Sequence, residues 1–269
     1  MNIQFVTRTV PYPADKDGES TIAFNVLRAL RERHEVSLVS FGDAKSPLAQ
    51  EAVDVLGIPV TLVPAPRASL FRFYASGTFL RMPWFSSRQE SNAMRGVLQH
   101  ADRDKGIHLV VLHSPFLAQY IPTFRKKPLV LHAIDALAPL LRQVAERAKP
   151  LRAIHLRREV RWATKQATLL YPQARSVIVV SDHDRQQLAR SSPSAHVIAI
   201  PLGVDAEYYR PDVNISEQQE LVMTGTMDYP PNVEAALWFA RGVWDFVKRE
   251  HPKLRWAIVG RRPVAALRA

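Results

Sequence analysis

Short apolar runs that lack in–out alternation recur along the chain and limit the folds it can adopt. They are Ile3–Thr7, Val36–Phe41, Val60–Val63, Ile107–Leu112, Leu129–Ile134, Val177–Val180 and His196–Ile200. Segments with helical periodicity separate most of these runs. Continuous apolar strands are typical of a sheet covered by helices on both faces. The strand–helix–strand repetition therefore predicts a doubly wound parallel α/β sheet of Rossmann-like type.

The helix expected after the first strand has a clear apolar stripe. Ser20 is predicted as its N-cap and Arg31 as its end. The stripe consists of Ile22, Ala23, Val26, Leu27 and Leu30, which recur at helical spacing. A helix of this kind would cover one face of the predicted sheet.

A polar segment without periodicity, residues 209–219, predicts a domain boundary. We expect a first domain over residues 1–211 and a second over 212–269. After the boundary the pattern restarts with a strand at Leu221–Thr224, a helix at Asn232–Glu250 and a strand at Leu254–Val259. One βαβ unit cannot bury both faces of its own sheet, so the second Rossmann-like domain is expected to be incomplete.

Charge and composition narrow the choice of partners. The 269 residues include 36 Lys and Arg against 25 Asp and Glu, a formal charge of +11, and no cysteine. The positive charge favours nucleic acid, a phosphorylated ligand or an acidic membrane surface. The lack of cysteine excludes thiolate metal sites and cysteine nucleophiles. No secretory leader is expected, and the uncharged stretch Gly106–Phe124 predicts a buried strand and a short helix.

Glycine motifs for nucleotide binding are absent from the sequence. Neither G-x-G-x-x-G nor G-x-x-x-x-G-K-[ST] occurs, which removes the main support for an oxidoreductase, an epimerase or a P-loop enzyme. Gly18, between the first strand and its helix, can let a phosphate or sugar approach the helix N-terminus. It can equally be a turn glycine without a ligand.

Three stretches of the chain together resemble bacterial family 4 glycosyltransferases, which have the GT-B fold. They are PYPADKDGESTIAFNVLRALRERHEVSLVSF, VIVVSDHDRQQL running on to IPLGVDAEYYRP, and LVMTGTMDYPPNVEAALWFARGVWDFVKREHPKLRWAIVGRRP. The resemblance implies two Rossmann-like domains facing across a cleft, with an activated sugar bound mainly by the second. It also implies sugar transfer without a metal or other cofactor. The family's carboxylate motif would lie beyond Ala269, so the chain looks C-terminally truncated.

The resemblance implies a nucleotide-diphosphate sugar as donor and a lipid-linked or saccharide acceptor. Such enzymes serve cell-surface polysaccharide or glycolipid synthesis, so we expect a cytoplasmic protein, peripheral at the inner face of the membrane. The alternative is a non-catalytic module that binds acceptor or membrane without turnover. Nucleic acid is not an expected partner, because no recognition motif occurs and aromatic residues do not interleave with the charges.

Residues of the donor side are assigned by the same resemblance. Gly203 stands in a Leu-Gly-Val-Asp segment where many members have Asn-Gly-Val-Asp. The remaining candidates in the second domain are Gly225, Thr226, Asn232, Arg261 and Arg262. The loop after the strand lacks the Arg and Lys of many relatives, and the two arginines can supply positive charge for a diphosphate. They can also be an ordinary solvated pair.

Three polar residues at the ends of predicted strands are candidates for catalysis in the first domain. His113 follows one strand, and His132 and Asp135 lie at the end of the next. Ligands collect at the carboxyl edge of a parallel sheet, where such side chains can orient or deprotonate an acceptor hydroxyl. The resemblance places the family's acceptor-side polar residue close to Asp135. Each histidine can instead be a hydrogen-bonded structural residue. Ser181 is expected to cap a helix.

A basic stretch, Arg142–Lys165, is a candidate membrane surface. On a helical wheel one face is apolar, and the opposite face carries Arg157, Arg158, Arg161 and Lys165. Such a face can lie against anionic lipid head groups, or it can simply be solvated. Trp84 and Phe85, within Phe79–Phe85, are expected to form a hydrophobic lip of the acceptor cleft or to pack in the core.

Overall fold

The computed structural model describes residues 1–66, 82–210 and 219–268. The chain forms two compact units, Met1–Gly203 and Val204–Ala269. This division falls ahead of the boundary expected at Pro211. Residues 211–218 of the polar boundary segment, and residues 79–81 of the expected hydrophobic lip, lie outside the described residues.

A seven-stranded parallel sheet forms the centre of the first unit. Its strands are β1 Asn2–Thr7, β2 Glu35–Phe41, β3 Val60–Val63, β4 Leu109–His113, β5 Leu129–Ile134, β6 Ser176–Val179 and β7 Val197–Ala199. Their order is β3-β2-β1-β4-β5-β6-β7, and every neighbouring pair is parallel. The predicted doubly wound sheet is confirmed. The order reverses between β1 and β4, which is the point where ligands bind in open α/β sheets.

Helices cover both faces of this sheet. They are α1 Gly18–Arg31, α2 Pro47–Leu56, α3 Trp84–Ser87, α4 Asn92–Arg103, α5 Leu137–Glu146, α6 Pro150–Leu170 and α7 Asp182–Ser191, with 3-10 helices at Pro115–Thr123 and Tyr171–Gln173. On one face Phe5 packs in a cluster with Leu27. On the other face the neighbouring Val6 packs in a cluster with Leu98 and Leu112. Burial on both faces explains why the strands are apolar at every position.

The N-cap prediction for α1 is wrong by three residues. Asp17 caps the helix, because its carboxylate accepts a hydrogen bond of 2.8 Å from the backbone N–H of Ser20. Ser20 is itself buried within the first turn. Asp and Ser are both strong N-caps, and the carboxylate also favours the positive end of the helix dipole. The predicted end at Arg31 is confirmed.

Asp102 fastens the amino edge of the sheet. Its Oδ1 atom accepts hydrogen bonds from three successive backbone N–H groups, those of Arg125, Lys126 and Lys127, at 3.1, 2.9 and 3.1 Å. Desolvation opposes its ionisation, but these donors together hold the pKa of Asp102 below its usual value. A single carboxylate thus stabilises the loop that leads into β5.

The second unit has a two-stranded parallel sheet. Its elements are β8 Glu220–Thr224, α8 Pro230–Gly242, α9 Trp244–Glu250, β9 Arg255–Val259 and a 3-10 helix at Ala265–Leu267. The single helix predicted over Asn232–Glu250 is wrong, since the chain breaks at Val243 with φ −127°. Gly242 is a poor helix former, and the break allows Trp244 to pack with Trp256.

Candidate functional site

A pair of histidines lies next to the point where the strand order reverses, with His113 on β4 and His132 on β5. In the sheet register Thr7 of β1 lies opposite His113 of β4, and His113 lies opposite His132 of β5. The two candidate histidines therefore occupy neighbouring strands at the carboxyl edge. This is the position at which ligands are expected in such a sheet.

The two imidazoles contact each other directly. Their Nδ1 atoms are 3.0 Å apart, and the ring planes are 79° apart. The other nitrogen of His113, Nε2, lies 3.3 Å from the backbone oxygen of Glu19 in the first turn of α1. His113 is fully buried, and His132 is 8% exposed. The pair therefore connects α1 with two central strands.

Burial determines the charge state of this pair. Desolvation lowers the pKa of His113 to about 4 despite its contact with the Glu19 carbonyl. Desolvation, reinforced by the positive charge that His113 would carry, lowers the pKa of His132 to about 4. Both imidazoles are therefore neutral at pH 7, and each can donate through one nitrogen and accept through the other.

The backbone is strained directly beside the pair. Ser114 has φ 136° and Ile134 has φ 66°, conformations that non-glycine residues rarely adopt. The Ser114 N–H donates to the carbonyl of His132 at 3.0 Å, and the register of β5 shifts between His132 and Ile134. Strain of this kind costs about 1–3 kcal/mol per residue and clusters at functional sites. The sequence carries no signal for it.

Asp135 follows the strained residue Ile134 and is exposed. Partial desolvation, and then the negative charge of Asp184, raise the pKa of its carboxyl group. Asp184 accepts a hydrogen bond of 3.1 Å from the N–H of Ala136. Its own N–H donates to the side chain of Ser181, which confirms Ser181 as the cap of α7. A carboxylate with a raised pKa is better matched to accepting a proton near neutral pH.

An ion pair missed by sequence reasoning lies beside the histidines. Arg8 follows β1, and its Nη2 atom is 2.8 Å from Oε2 of Glu19. The guanidinium also lies over the ring of Phe116 at 5.4 Å. Gly18, the first residue of α1, has open space where a Cβ would be, so the backbone before Glu19 is accessible. The resulting edge carries both signs of charge.

A cavity of about 210 Å³ opens along the same edge, at the ends of β1, β2 and β3. It is lined by Arg8, Thr9, Phe41, Ala65, Pro66, Arg88 and Gln89. Gly203 is not part of this group, because it is exposed at the end of the first unit. None of the three catalytic candidates lines this cavity. His113 and His132 lie on the adjacent strands β4 and β5, and Asp135 directly follows β5.

Trp84 and Phe85 are held by a buried carboxylate that the sequence pattern did not reveal. Glu159 of α6 is fully buried, and its Oε2 accepts a hydrogen bond of 2.6 Å from the Trp84 N–H. Burial raises the pKa of Glu159. The ring of Phe85 packs on Phe116, whose other neighbour is Arg8. The described part of the expected lip therefore packs next to the ion pair.

In the second unit, Gly225, Thr226 and Asn232 come together at the end of β8. Gly225 has φ 158°, and a Cβ on it would lie 2.6 Å from Nδ2 of Asn232. That amide donates to the carbonyl of Thr226 at 3.1 Å. A Cβ on Gly260 would lie 1.7 Å from the Gly225 carbonyl oxygen, so glycine is required there as well. Sequence reasoning missed Gly260.

The two arginines after β9 differ in their surroundings. Nε of Arg262 lies 3.1 Å from Oδ2 of Asp228, and the two side chains are 63% and 41% exposed. The backbone carbonyl of Arg261 accepts a hydrogen bond from the Met227 N–H at 2.9 Å. The positive charge of Arg262 is therefore partly offset by Asp228 before any ligand is considered.

The predicted wheel of α6 is confirmed. Its buried face includes Leu156, Ala163 and Ala167, whereas Arg157, Arg161 and Lys165 are exposed and Arg158 is half-buried. Lys165 Nζ lies over the ring of Trp162 at 5.2 Å. No helix in the described part of the chain is both long and apolar enough to cross a bilayer.

Comparison with protein families identifies the first unit. Residues 17–203 match the family described as "Glycosyl transferase 4-like domain". The chain belongs to this family. The match begins at Asp17, the cap of α1, and ends at Gly203, where the first unit ends. A comparison with curated proteins finds no match.

Solved structures similar to this glycosyl transferase 4-like protein confirm the GT-B fold. Apo UGT2 of Phytolacca americana has 11% sequence identity and a TM-score of 0.50, with 84% of this chain and 57% of that one covered. Apo OtsA has 12% identity and a TM-score of 0.53, with 100% and 67% covered. The chain thus spans little more than half of UGT2 and about two thirds of OtsA.

In a glycosyl transferase 4-like domain, the edge near the histidines offers two kinds of chemistry. Asp135 carries an exposed carboxylate, and the neutral imidazole of His132 reaches the same edge. Both groups can accept a hydrogen bond from a hydroxyl.

Proposed function

We propose that the chain transfers a sugar from a nucleotide-diphosphate donor to a lipid-linked or saccharide acceptor, in cell-surface polysaccharide or glycolipid synthesis. The observation that carries this proposal is the family match over residues 17–203, which spans the elements that place His113, His132 and Asp135 at one sheet edge. The acceptor hydroxyl binds at this edge. No metal or other cofactor takes part in the proposed reaction.

Asp135 is the proposed catalytic group on the acceptor side. Its exposure allows contact with a substrate, and its raised pKa favours uptake of a proton. The carboxylate takes the proton of the acceptor hydroxyl, the hydroxyl oxygen bonds to the anomeric carbon of the donor, and the bond from that carbon to the diphosphate oxygen breaks, which releases the nucleoside diphosphate. Positioned acid–base help of this kind contributes typically ~10²–10⁴-fold in rate.

The donor is proposed to bind to the second unit. The turn built by Gly225, Thr226 and Asn232 keeps the backbone after β8 compact, which lets a diphosphate approach it. Arg261 and Arg262 supply positive charge at the neighbouring strand end. Gly18 and Gly203 are proposed to allow close approach of substrate groups to the backbone of the first unit.

A nucleotide-release assay tests the catalytic proposal. The 269-residue chain is incubated with UDP-, GDP- and dTDP-sugars and with lipid-linked or free saccharide acceptors. We expect Asp135→Asn to lower kcat by ~10²–10⁴-fold and to leave the donor Kd unchanged. Asp182→Asn is the matched control, since Asp182 is an exposed carboxylate paired with Arg185 at the start of α7. Acceptor binding without nucleotide release would contradict the proposal and indicate a non-catalytic binding module.

We further propose that the protein lies on the cytoplasmic face of the membrane through α6. Leu151 and Ile154 at the start of this helix are 86% and 65% exposed. At 100° per residue they share a face with Arg158, Arg161 and Lys165. Exposed aliphatic side chains flanked by basic ones are typical of helices that bind anionic interfaces. Arg157 lies at the margin of this face.

Vesicle sedimentation tests this surface. The double variant Arg161→Gln/Lys165→Gln should bind vesicles containing phosphatidylglycerol about 30-fold more weakly, because each charge contributes ~1 kcal/mol near the surface. Raising the salt concentration should also weaken binding of the wild type to these vesicles, because salt screens the attraction between the basic side chains and the lipid head groups. Arg33→Gln/Lys45→Gln removes two exposed charges elsewhere and is the control. Equal losses in both double variants would contradict the assignment.

A further inference from the structure

The hydrogen-bonded chain from Glu19 to His132 has a defined direction. The backbone oxygen of Glu19 can only accept, so Nε2 of His113, 3.3 Å away, must carry the proton. A neutral imidazole has one N–H, which makes Nδ1 of His113 an acceptor. His132 must then donate through its own Nδ1, across 3.0 Å. This leaves the Nε2 atom of His132 with a free electron pair.

The surroundings keep both imidazoles neutral, as this direction requires. His113 is fully buried and lies against the ring of Phe5, with ring centroids 5.5 Å apart. Glu19, whose backbone oxygen accepts from His113, also has a carboxylate, but this carboxylate forms an ion pair with Arg8. Desolvation lowers the pKa of both histidines to about 4. At neutral pH the pair therefore holds two ring protons, one on each imidazole.

The free nitrogen of His132 lies at the proposed acceptor edge. Within residues 1–66, 82–210 and 219–268, no group forms a hydrogen bond with Nε2 of His132. The residue keeps 8% exposure, and its strand ends one residue before Asp135. The Nε2 atom of His132 is held in a fixed direction near Asp135, the proposed base. A nitrogen placed in this way is suited to accept a hydrogen bond from a substrate hydroxyl.

We propose that His113 is a positioning residue, which holds His132 in the Nδ1–H tautomer so that its Nε2 atom accepts a hydrogen bond from a hydroxyl of the saccharide acceptor. The substrate part of this inference rests on the proposed function, whereas the tautomer part rests on the geometry of the pair alone. His132 thereby favours a substrate group that can donate a hydrogen bond, such as a hydroxyl, and disfavours a group that can only accept a hydrogen bond. A site built to pair a hydroxyl rejects an analogue that lacks it.

Nitrogen NMR tests the tautomer on the chain by itself. Long-range ¹H–¹⁵N spectra of ¹⁵N-histidine-labelled protein at pH 7.5 distinguish the two tautomers, with His132→Asn used for assignment. We expect His132 in the Nδ1–H form and His113 in the Nε2–H form. In His113→Leu, His132 should change to the Nε2–H form. In His113→Asn the amide oxygen replaces Nδ1 as acceptor, so His132 should keep the Nδ1–H form.

Controls and kinetics separate this inference from the proposed function. His100→Leu, at the end of α4, should leave the His132 signals unchanged. An Nε2–H form of His132 in the wild type, or an unchanged His132 tautomer in His113→Leu, would overturn the tautomer part of the inference. Kinetics are measured with the saccharide acceptor that the wild type uses. His113→Leu should raise the KM for this saccharide about tenfold and leave the KM for the sugar donor unchanged. His113→Asn should restore the wild-type KM for the saccharide. An unchanged acceptor KM would overturn the substrate part. Absence of sugar transfer by the wild type contradicts the proposed function. In that case the NMR spectra alone test the tautomer part of the inference.

Discussion

The two units have the same βαβ pattern but stabilise it to very different extents. In the first unit, seven strands are covered on both faces, and large side chains such as Phe5, Leu112 and Leu131 are fully buried. In the described part of the second unit, residues 204–210 and 219–268, the buried hydrophobic side chains are Met227 and Ala236. The number of layers around a sheet, more than its strand pattern, therefore determines how much core it forms.

Their strand ends differ in the same way. At the edge of the first unit, burial controls the protonation of His113 and His132. At the edge of the second, close backbone packing at Gly225 and Gly260 shapes the turn, and Arg262 forms an ion pair with Asp228 at the surface. The first edge is therefore shaped by hydrogen bonds between side chains, and the second by close packing of the backbone.

The largest contrast is expected from truncating a core leucine in each unit. Leu131→Ala removes a fully buried side chain of β5 and should lower the free energy of unfolding of the first unit by about 3–4 kcal/mol. Leu237→Ala removes a half-buried side chain of α8 and should cost about 1 kcal/mol in the second unit. Hydrogen exchange read by mass spectrometry resolves the two units. Equal losses would contradict the contrast in core formation.

The next effect concerns the backbone contact of the second unit. Gly260→Ala places a Cβ against the Gly225 carbonyl, so β8 and β9 must separate, at a cost of about 3 kcal/mol. Gly242→Ala, where the space around the Cβ is open, is the control and should be neutral or slightly stabilising. Urea unfolding followed by the fluorescence of Trp244 and Trp256 measures both. A neutral Gly260→Ala would show that this turn tolerates a side chain.

The buried histidines predict a pH dependence confined to the first unit. Their folded pKa of about 4 lies below the unfolded value of 6.5, so the unfolded chain binds protons first as the pH falls. Stability is complete above pH 6.5 and is lost toward pH 4. Between pH 6.5 and 5.5 we expect a loss of about 1 kcal/mol per histidine. His113→Asn should lose roughly half as much in urea titrations, and an identical slope would refute the linkage.

The smallest contrast is between the ion pairs at the two edges. Arg8 and Glu19 are partly buried, and the Arg8 guanidinium also lies over the ring of Phe116, so Arg8→Gln should destabilise the first unit by about 1 kcal/mol. Arg262 and Asp228 are more exposed than the first pair, and Arg262→Gln should cost less than about 0.5 kcal/mol. Thermal unfolding at low and high salt measures both variants. A larger loss from Arg262→Gln would reverse the contrast.

The strands of the first unit were predictable because their short apolar runs lack in–out alternation and are separated by segments with helical periodicity. Val60–Val63 and Leu129–Ile134 are confirmed at both ends, whereas the other runs are shifted by one or two residues. Helix boundaries were harder. Asp17 and Ser20 are equally good caps by residue type, and only the hydrogen bond to the Ser20 N–H decides between them. The break at Val243 depends on tertiary packing of the aromatic residues around it.

The candidate site was predictable only in part. Strand ends revealed His113 and His132, because residues that follow apolar runs lie at a sheet edge. Their contact could not be predicted, since it requires the register of β4 against β5. Glu159 was missed for the opposite reason, because a charged residue in a basic helix is expected to be solvated. Its partner, the Trp84 N–H, is 75 residues away along the chain.

Asp102 and the histidine pair lie at opposite edges of the same sheet, and this separation bears on how the protein can evolve. Asp102 fixes the amino edge through three backbone hydrogen bonds to residues 125–127. At the carboxyl edge, the segments after β1 and β2 run as loops to the next helices, over residues 8–17 and 42–46. Insertions or exchanges in these loops can change the carboxyl edge without disturbing the core of the sheet. The carboxyl edge can therefore change by loop replacement while the three hydrogen bonds to Asp102 keep the amino edge in place.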